Sequence, residues 1–116
     1  MGKSSQTKGR RAELELCRVL QGYGYQVEPG APINYGTEPD LIGLPSIHIE
    51  CKRAETLLLS KWMAQATRDA QRFGDGVPAV FHRKNHEDWT VTMPLTAWMT
   101  IYKQAFPGDF GTTERK

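Results

Sequence analysis

The chain has 116 residues, of which 39% are hydrophobic and 24% are charged, a composition typical of one small globular domain. We expect a single domain over residues 1–116, with flexible ends at about 1–6 and 108–116. The sequence has no run of 18 apolar residues and no apolar stretch behind Met1, which argues against a membrane span or a secretory signal. Two cysteines, Cys17 and Cys51, are too few for a disulfide scaffold, so a reducing cytoplasm is expected.

Positive charge is concentrated at the start of the chain. The net charge is +2, and the first eleven residues contain no acid but four bases, namely Lys3, Lys8, Arg10 and Arg11. Cations near a helix N-terminus oppose the helix dipole, so contacts with a DNA backbone explain these residues better than a solvated helix start does, although both interpretations stay open.

The first predicted helix runs from about Lys8 to Gly22, with Ser5 or Thr7 as its cap. Its apolar stripe consists of Leu16, Cys17 and Leu20, and Glu13 falls on the same stripe by the i, i+3, i+4, i+7 rule. Glu15 is expected on the opposite side, facing water. The spacing thus separates an inward acid from an outward one, unless the helix phase is misplaced.

Three strands are predicted next, at Tyr25–Val27, at Asp40–Gly43 and at Ile47–Arg53. The turn formers between Gly43 and Ser46 predict that the second and third strands pair as a hairpin. Alternation in the third strand divides its side chains into one face with Ile47, Ile49 and Cys51 and another with His48, Glu50 and Lys52.

The remainder predicts a helix from Ser60, as its cap, to Phe73, ended by Gly74, then strands at Val77–His82 and Trp89–Met93, and a last helix at Leu95–Ala105. The second helix should bury Met63, Ala66, Ala70 and Phe73. The last helix carries one apolar face, interpreted as core or in part as a dimer contact, with Leu95, Trp98, Met99, Tyr102 and Phe106. The order is αβββαββα, an α/β fold.

One constellation indicates chemistry. A hairpin would bring Asp40 close to Glu50 and Lys52, and converging carboxylates are unfavourable unless positive charge lies between them. Mg²⁺ or Mn²⁺ prefers such oxygen ligands and could promote phosphodiester hydrolysis. Glu13 and the carbonyl of Cys51 are candidate further ligands. The alternative is a solvated strand face with a surface ion pair.

The residues Pro39-Asp40 and Glu50-Cys51-Lys52 match the PD-(D/E)XK pattern of restriction-endonuclease-like nucleases. The segment 8–16, the motif itself and the segments 47–53 and 78–85 resemble the archaeal-type Holliday junction resolvases, and most closely the small phage and prophage nucleases of that kind. The resemblance covers roughly residues 8–103. It departs from archaeal members at 31–37, where their serine-rich loop is absent.

The resemblance implies a restriction-endonuclease-like core, with a mixed five-stranded sheet flanked by helices. It implies a homodimer that uses Mg²⁺ or Mn²⁺ to nick four-way DNA junctions symmetrically, with Glu13, Asp40 and Glu50 as acids and Lys52 as the catalytic lysine. The candidate DNA-binding residues are Lys8, Arg10, Arg11, Arg53, Arg83 and Lys84.

Alternative functions are another structure-specific or duplex nuclease on the same fold, and a DNA-binding module without catalysis. His48 could touch the metal shell or simply be hydrogen-bonded. Either Gln65 or Gln71 could lie near the site, and the sequence does not choose between them.

Overall fold

A computed structural model describes residues 2–30 and 39–108, and the side chains of the first helix from residue 9 onward. The elements in chain order are α1 (Gly2–Gly22), β1 (Glu28–Pro29), β2 (Leu41–Ile42), β3 (Ile47–Arg53), α2 (Leu59–Phe73), β4 (Val77–Arg83), β5 (Thr90–Thr92) and α3 (Leu95–Ala105). This order confirms the predicted αβββαββα arrangement.

The five strands form one mixed sheet in the order β1-β2-β3-β4-β5. All neighbouring pairs are antiparallel except β3 and β4, which are parallel. A parallel connection needs a crossover, and α2 supplies it. Pro29 lies in the edge strand β1, where a missing N–H is tolerated. The sheet with its flanking helices is the predicted restriction-endonuclease-like fold.

Each face of the sheet is covered by one helix. On one face, Leu16 and Cys17 of α1 pack with Ile49, Cys51 and Phe81. Both cysteines are therefore core residues, as expected. On the other face, Trp62 and Ala66 of α2 pack with Val80, so the face of β3 that carries the polar residues is covered as well.

Several predicted boundaries were wrong. Helix α1 begins at Gly2 rather than Lys8, so Ser5 and Thr7 lie inside it. Strand β1 lies just after Val27, which is a core residue. Helix α2 begins one residue before Ser60, and no side chain caps it. Gly74 ends α2 in the left-handed conformation, as predicted.

The inner face of α2 also differs in phase from the prediction. Trp62 is buried together with Ala66 and Ala70, whereas Met63 and Phe73 are only partly buried. The segment 31–37 and the tail from residue 109 lie outside the described residues, and so do the expectations made for them.

Helix α3 corrects another expectation, because its apolar face is not core. Of its residues only Ala97 is buried. All members of the predicted apolar face are exposed, namely Leu95, Trp98, Met99, Tyr102 and Phe106, the last of which directly follows the helix. None of the helices in the described part of the chain combines the length and apolarity that crossing a bilayer requires.

Candidate active site

The predicted hairpin forms and brings Asp40 to β3. Leu41 pairs with Ile49, so Asp40, just before β2, lies across from Glu50. The turn depends on Gly43 at φ 127°, because an added Cβ would lie 2.3 Å from the carbonyl oxygen of Gln26. The Cys51 backbone N–H donates a hydrogen bond to Asp40 Oδ2 at 3.0 Å. The hairpin therefore fixes Asp40 against the strand that carries the second half of the motif.

Glu50 lies inside the protein rather than on a wet strand face. It is 3% exposed, and its two carboxylate oxygens have different neighbours. His48 Nε2 lies 3.2 Å from Oε1, and Lys52 Nζ lies 3.8 Å from Oε2. The alternative of a solvated surface ion pair is therefore wrong for Glu50, because α2 covers this face of the sheet.

Helix α2 also holds the lysine. Lys52 Nζ donates a hydrogen bond to Gln65 Oε1 at 3.0 Å, whereas Gln71 is exposed. Of the two glutamines that the sequence left open, Gln65 is therefore the one in contact with the motif. Its bond fixes the direction of an ammonium group that would otherwise rotate freely on a long side chain.

The pKa of Glu13 indicates that this residue lies in the same region. Burial raises the pKa of Glu13 to about 7, with further contributions from the charges of Asp40 and Glu50 and an opposing one from Arg10. Burial and then Glu50 raise the pKa of Asp40 to about 6, against the Cys51 hydrogen bond and the charges of Lys52 and His48. Glu13 thus faces the protein, and its carboxylate interacts with the other two acids.

The thiol of Cys51 responds to the same acids. Burial raises the pKa of this thiol, and the charges of Asp40, Glu13 and Glu50 raise it further. Burial likewise raises the pKa of Cys17. Thiolates are the reactive form of cysteine, so neither thiol is suited to act as a nucleophile.

The closest group of potential metal ligands is not the predicted one. Among the described residues, donor atoms of His48, Glu50 and Asp69 lie within 4.8 Å of one another, whereas Glu13, Asp40 and Glu50 do not form such a group. Carboxylate oxygens and an imidazole nitrogen suit divalent cations. The structure therefore offers an acidic and histidine site of this kind, centred on the buried Glu50.

Most of the described candidate DNA-binding residues lie at or near a cleft beside the motif, whereas Arg83 is engaged in contacts within the protein. Arg11 and Arg53 line a cleft of about 240 Å³ together with Ala54, Glu55 and Asn85, and Arg53 donates a hydrogen bond to the Asn85 side chain at 3.0 Å. Arg10 lies one residue earlier on α1 and is partly buried, and Lys84 follows β4. The side chain of Lys8 lies outside the described residues.

Arg83 is already engaged within the protein. Its Nη2 donates to Glu15 Oε2 at 2.8 Å, and its Nη1 donates to the backbone carbonyls of Lys84 and Glu87. The expectation that Glu15 simply faces water is therefore wrong. Its carboxylate joins α1 to the end of β4, a partner 68 positions away that the helix pattern alone does not reveal.

Sequence reasoning missed Asp69 and Asp75. Asp75 accepts from His48 Nδ1, which lies 3.0 Å from both of its carboxylate oxygens. The available signals were the i, i+4 spacing of Gln65 and Asp69 on α2 and the placement of Asp75 between two glycines. Neither signal identifies the partner of the side chain.

Comparisons with known proteins bear on the fold and the family of the chain. A search of curated proteins found no match. Among solved structures, the chain is similar to Hjc, a Holliday junction resolvase from the archaeal hyperthermophile Archaeoglobus fulgidus, with a TM-score of 0.56 and 23% sequence identity over 77% of this chain and 74% of that one. This likeness concerns the fold.

A family model provides the stronger link. The model described as "Phage putative PDDEXK endonuclease" matches residues 4–110, which include all five strands of the sheet, α2, α3 and α1 from its third residue onward. The match spans both halves of the Asp40 and Glu50-Cys51-Lys52 motif. The chain therefore belongs to the PDDEXK endonuclease family of phages.

Proposed function

We propose that this nuclease cuts DNA with the help of Mg²⁺ or Mn²⁺ at a site formed by Glu13, Asp40, Glu50 and Lys52. The observation that carries the proposal is the placement of Asp40 opposite the buried Glu50, fixed by the hydrogen bond that the Cys51 N–H donates to Asp40 Oδ2 at 3.0 Å. The raised pKa values of Glu13 and Asp40 mean that two carboxylates are held where their charges are unfavourable. Burial is the larger cause of both shifts and the charge of the neighbouring acids the smaller one. A bound divalent cation would offset the negative charge of these carboxylates, so the oxygen donors fit the cofactor that family membership implies.

In this proposal Asp40, Glu50, Glu13 and the carbonyl of Cys51 hold the ion. A divalent ion held there would supply polarisation of the scissile phosphate and activation of water for attack. Lys52 lies next to Glu50 and is directed by Gln65, so its ammonium group can orient the attacking water or offset negative charge that develops on the phosphate.

The basic groups near the motif support a DNA substrate. The guanidinium groups of Arg11 and Arg53 border one cleft, and planar guanidinium groups suit phosphate oxygens. We propose that these two arginines, with Lys8, Arg10 and Lys84, contact the backbone on either side of the scissile bond. Arg83 acts mainly by anchoring this region to Glu15. DNA binding should weaken steeply as salt concentration rises.

Four-way junctions are the proposed substrate, and a homodimer is the proposed active form. The structural similarity to Hjc, itself a Holliday junction resolvase, supports the first part. The exposed aromatic face of α3 supports the second, because Trp98, Tyr102 and Phe106 are 47%, 43% and 64% exposed and form a continuous row with ring centroids 4.8 and 5.1 Å apart. We propose that a second copy of the chain covers this face, placing two sites to cut opposite strands.

The function is tested by incubating labelled four-way junctions, flaps and plain duplexes with the protein in Mg²⁺ and in EDTA. Paired symmetric nicks in the junction, absent in EDTA, are expected. Equal cutting of all three substrates would favour a general nuclease on the same fold. Glu50→Ala and Lys52→Ala should abolish cutting while DNA binding persists, and continued cutting by either variant would contradict the assigned roles.

Absence of cutting by the wild-type protein on all three substrates in both Mg²⁺ and Mn²⁺ would favour the non-catalytic binding module. For the dimer, Trp98→Glu should convert the protein to monomers in sedimentation experiments, whereas Arg68→Glu on the exposed side of α2 should not. A wild-type protein that is monomeric at all concentrations would refute the proposed interface.

A further inference from the structure

A chain of hydrogen bonds connects Glu50 to a residue that the PDDEXK motif does not include. Asp75 lies 3.0 Å from His48 Nδ1 through both carboxylate oxygens, and His48 Nε2 lies 3.2 Å from Glu50 Oε1. His48 is 1% exposed, and the side chain of Asp75 is 26% exposed. The chain of bonds therefore runs from the surface to the buried carboxylate of the motif.

The backbone around Asp75 holds it in place. Gly74 ends α2 with φ 60° and Gly76 follows with φ 138°. A Cβ on Gly76 would lie 2.2 Å from the carbonyl carbon of Ser46, so only glycine allows this close approach. The N–H of Val77 then bonds to the Ser46 carbonyl at 2.9 Å. These contacts fix Asp75 beside the beginning of β3, where His48 lies.

One face of the His48 ring is covered by a neighbouring aromatic side chain. The ring of Phe73, at the end of α2, stacks on it with a centroid distance of 6.2 Å and an interplanar angle of 19°. With both nitrogens bonded and one face covered, the imidazole has little freedom to rotate. A rigid ring can in turn fix the torsion of the carboxylate that it contacts.

We propose that Asp75 and His48 are positioning residues for Glu50. They hold Oε1 of the carboxylate, so that Oε2 stays directed toward Lys52 and the space in which a divalent ion would bind. The inference rests on the proposed role of Glu50 as a metal ligand. Each carboxylate oxygen has two lone pairs, so the bond from His48 leaves capacity for an ion on both oxygens.

Packing alone does not account for this arrangement. The rest of the α2-facing core contains apolar residues such as Trp62, Ala66 and Val80. Buried charged or polar groups are often replaceable by apolar residues of similar volume without loss of stability. Stability therefore does not require a histidine between Asp75 and Glu50, whereas fixing the orientation of the Glu50 carboxylate does.

The test measures Mn²⁺ binding to the full chain by titration calorimetry without DNA. His48→Ala should weaken Mn²⁺ binding by ~10–100-fold, the usual effect of removing a residue that orients a metal ligand. His48→Gln places an amide N–H near the position of Nε2 and should restore most of the affinity. Asp75→Ala, at the partly exposed end of the chain of bonds, should weaken binding in the same direction, and Asp75→Asn should restore it.

His82→Ala is the matched control, since His82 is 6% exposed and bonds instead to Thr92 at 2.8 Å. It should lower thermal stability while leaving the Mn²⁺ affinity unchanged. Wild-type affinity in folded His48→Ala or in Asp75→Ala would overturn the proposal. Equal losses in His48→Gln and His48→Ala would also overturn it, because they would mean that His48 is itself a ligand.

Single-turnover cutting of a four-way junction gives the second readout. His48→Ala and Asp75→Ala should lower the cleavage rate constant, while the DNA dissociation constant measured in Ca²⁺ stays at the wild-type value. A loss of DNA binding in place of a slower rate would contradict a positioning role. If the wild-type protein binds Mn²⁺ but cuts no DNA, the proposed function fails while the calorimetry still decides the role of His48. If it binds no Mn²⁺, the positioning proposal fails as well.

Discussion

Replacing Asp40 by asparagine should make the metal-free protein more stable, although it removes a residue of the proposed site. The carboxylate of Asp40 is held near that of Glu50 in a partly buried position, and its pKa rises from the ordinary 3.8 to about 6. The folded protein therefore binds more protons than the unfolded chain between these two values. Its stability should fall as the pH rises from about 4 through 6.

The size of the effect follows from the pKa values. A difference of one corresponds to ~1.4 kcal/mol, so the rise from 3.8 to about 6 means that ionised Asp40 costs about 3 kcal/mol at pH 8. The asparagine oxygen can still accept the hydrogen bond from the Cys51 N–H, but its partly buried amide N–H₂ group costs ~1 kcal/mol. The net gain expected for Asp40→Asn at pH 8 is about 2 kcal/mol.

Urea unfolding followed by circular dichroism in EDTA measures this gain. The variant should exceed the wild type by about 2 kcal/mol at pH 8, or ~8 °C in Tm for a chain of this length, and the difference should shrink at pH 4. Asp88→Asn, which changes an exposed carboxylate in the β4–β5 connection, is the control and should have no such effect. A variant less stable than the wild type at pH 8 would refute the reasoning.

Metal addition should reverse the order of stabilities. An ion that binds only the folded state stabilises it by about 2.7 kcal/mol at one hundred times its Kd, more than the ~2 kcal/mol difference between the two proteins. Mg²⁺ should therefore raise the stability of the wild type and have much less effect on Asp40→Asn. Equal stabilisation of both proteins would mean that Asp40 is not a ligand.

Three other changes test separate contacts. Gln65→Ala should lower the cleavage rate by ~10-fold, because it removes the hydrogen-bond partner of Lys52. Gln71→Ala, on the exposed side of the same helix, should leave the rate unchanged. Equal cleavage rates in the two variants would exclude a role for the Gln65 side chain. Glu15→Ala should lower Tm and the exposed Arg18→Ala should not, since Glu15 forms an ion pair with Arg83 at the end of β4; matching Tm values would show that the ion pair contributes nothing. Gly76→Ala should cost ~3 kcal/mol or more in urea unfolding, because the backbone is strained and crowded there; a fully stable variant would contradict the close approach.

Local signals predicted the parts of the fold that depend on local chemistry. The turn residues at Gly43 predicted the hairpin, which the pairing of Leu41 with Ile49 confirms. The alternation from Ile47 to Arg53 predicted the strand that the structure shows over the same residues. Gly74 marked the end of α2 for the same reason, because a left-handed residue there requires glycine. These features need only a few neighbouring residues, so the sequence displays them directly.

Features that depend on distant partners could not be predicted in the same way. The exposure of the α3 aromatic face depends on what packs against it, and a helical stripe looks the same whether it is core or interface. Glu15 was assigned to water because its partner, Arg83, lies at the end of β4. His48 and Glu50 alternate with core residues, as in a strand with one face exposed to water. Both are nevertheless buried, because α2 covers their face.

The direction of α2 relative to β3 explains which residues of the helix contact which residues of the strand. The crossover makes α2 antiparallel to β3, so a step of four residues along the helix, ~6 Å, matches a step of two along the strand, ~6.6 Å. Gln65 thus meets Lys52, Asp69 lies near Glu50 and His48, and Phe73 stacks on His48. The mismatch of ~0.6 Å per step adds to only ~1.2 Å over two steps, and the series of contacts ends where α2 ends, at Phe73. Inserting one alanine between Gln65 and Asp69 would rotate Asp69 and Phe73 by ~100° away from His48 and should weaken Mn²⁺ binding, because Phe73 no longer holds the ring that positions Glu50. Unchanged binding would show that α2 contributes only packing.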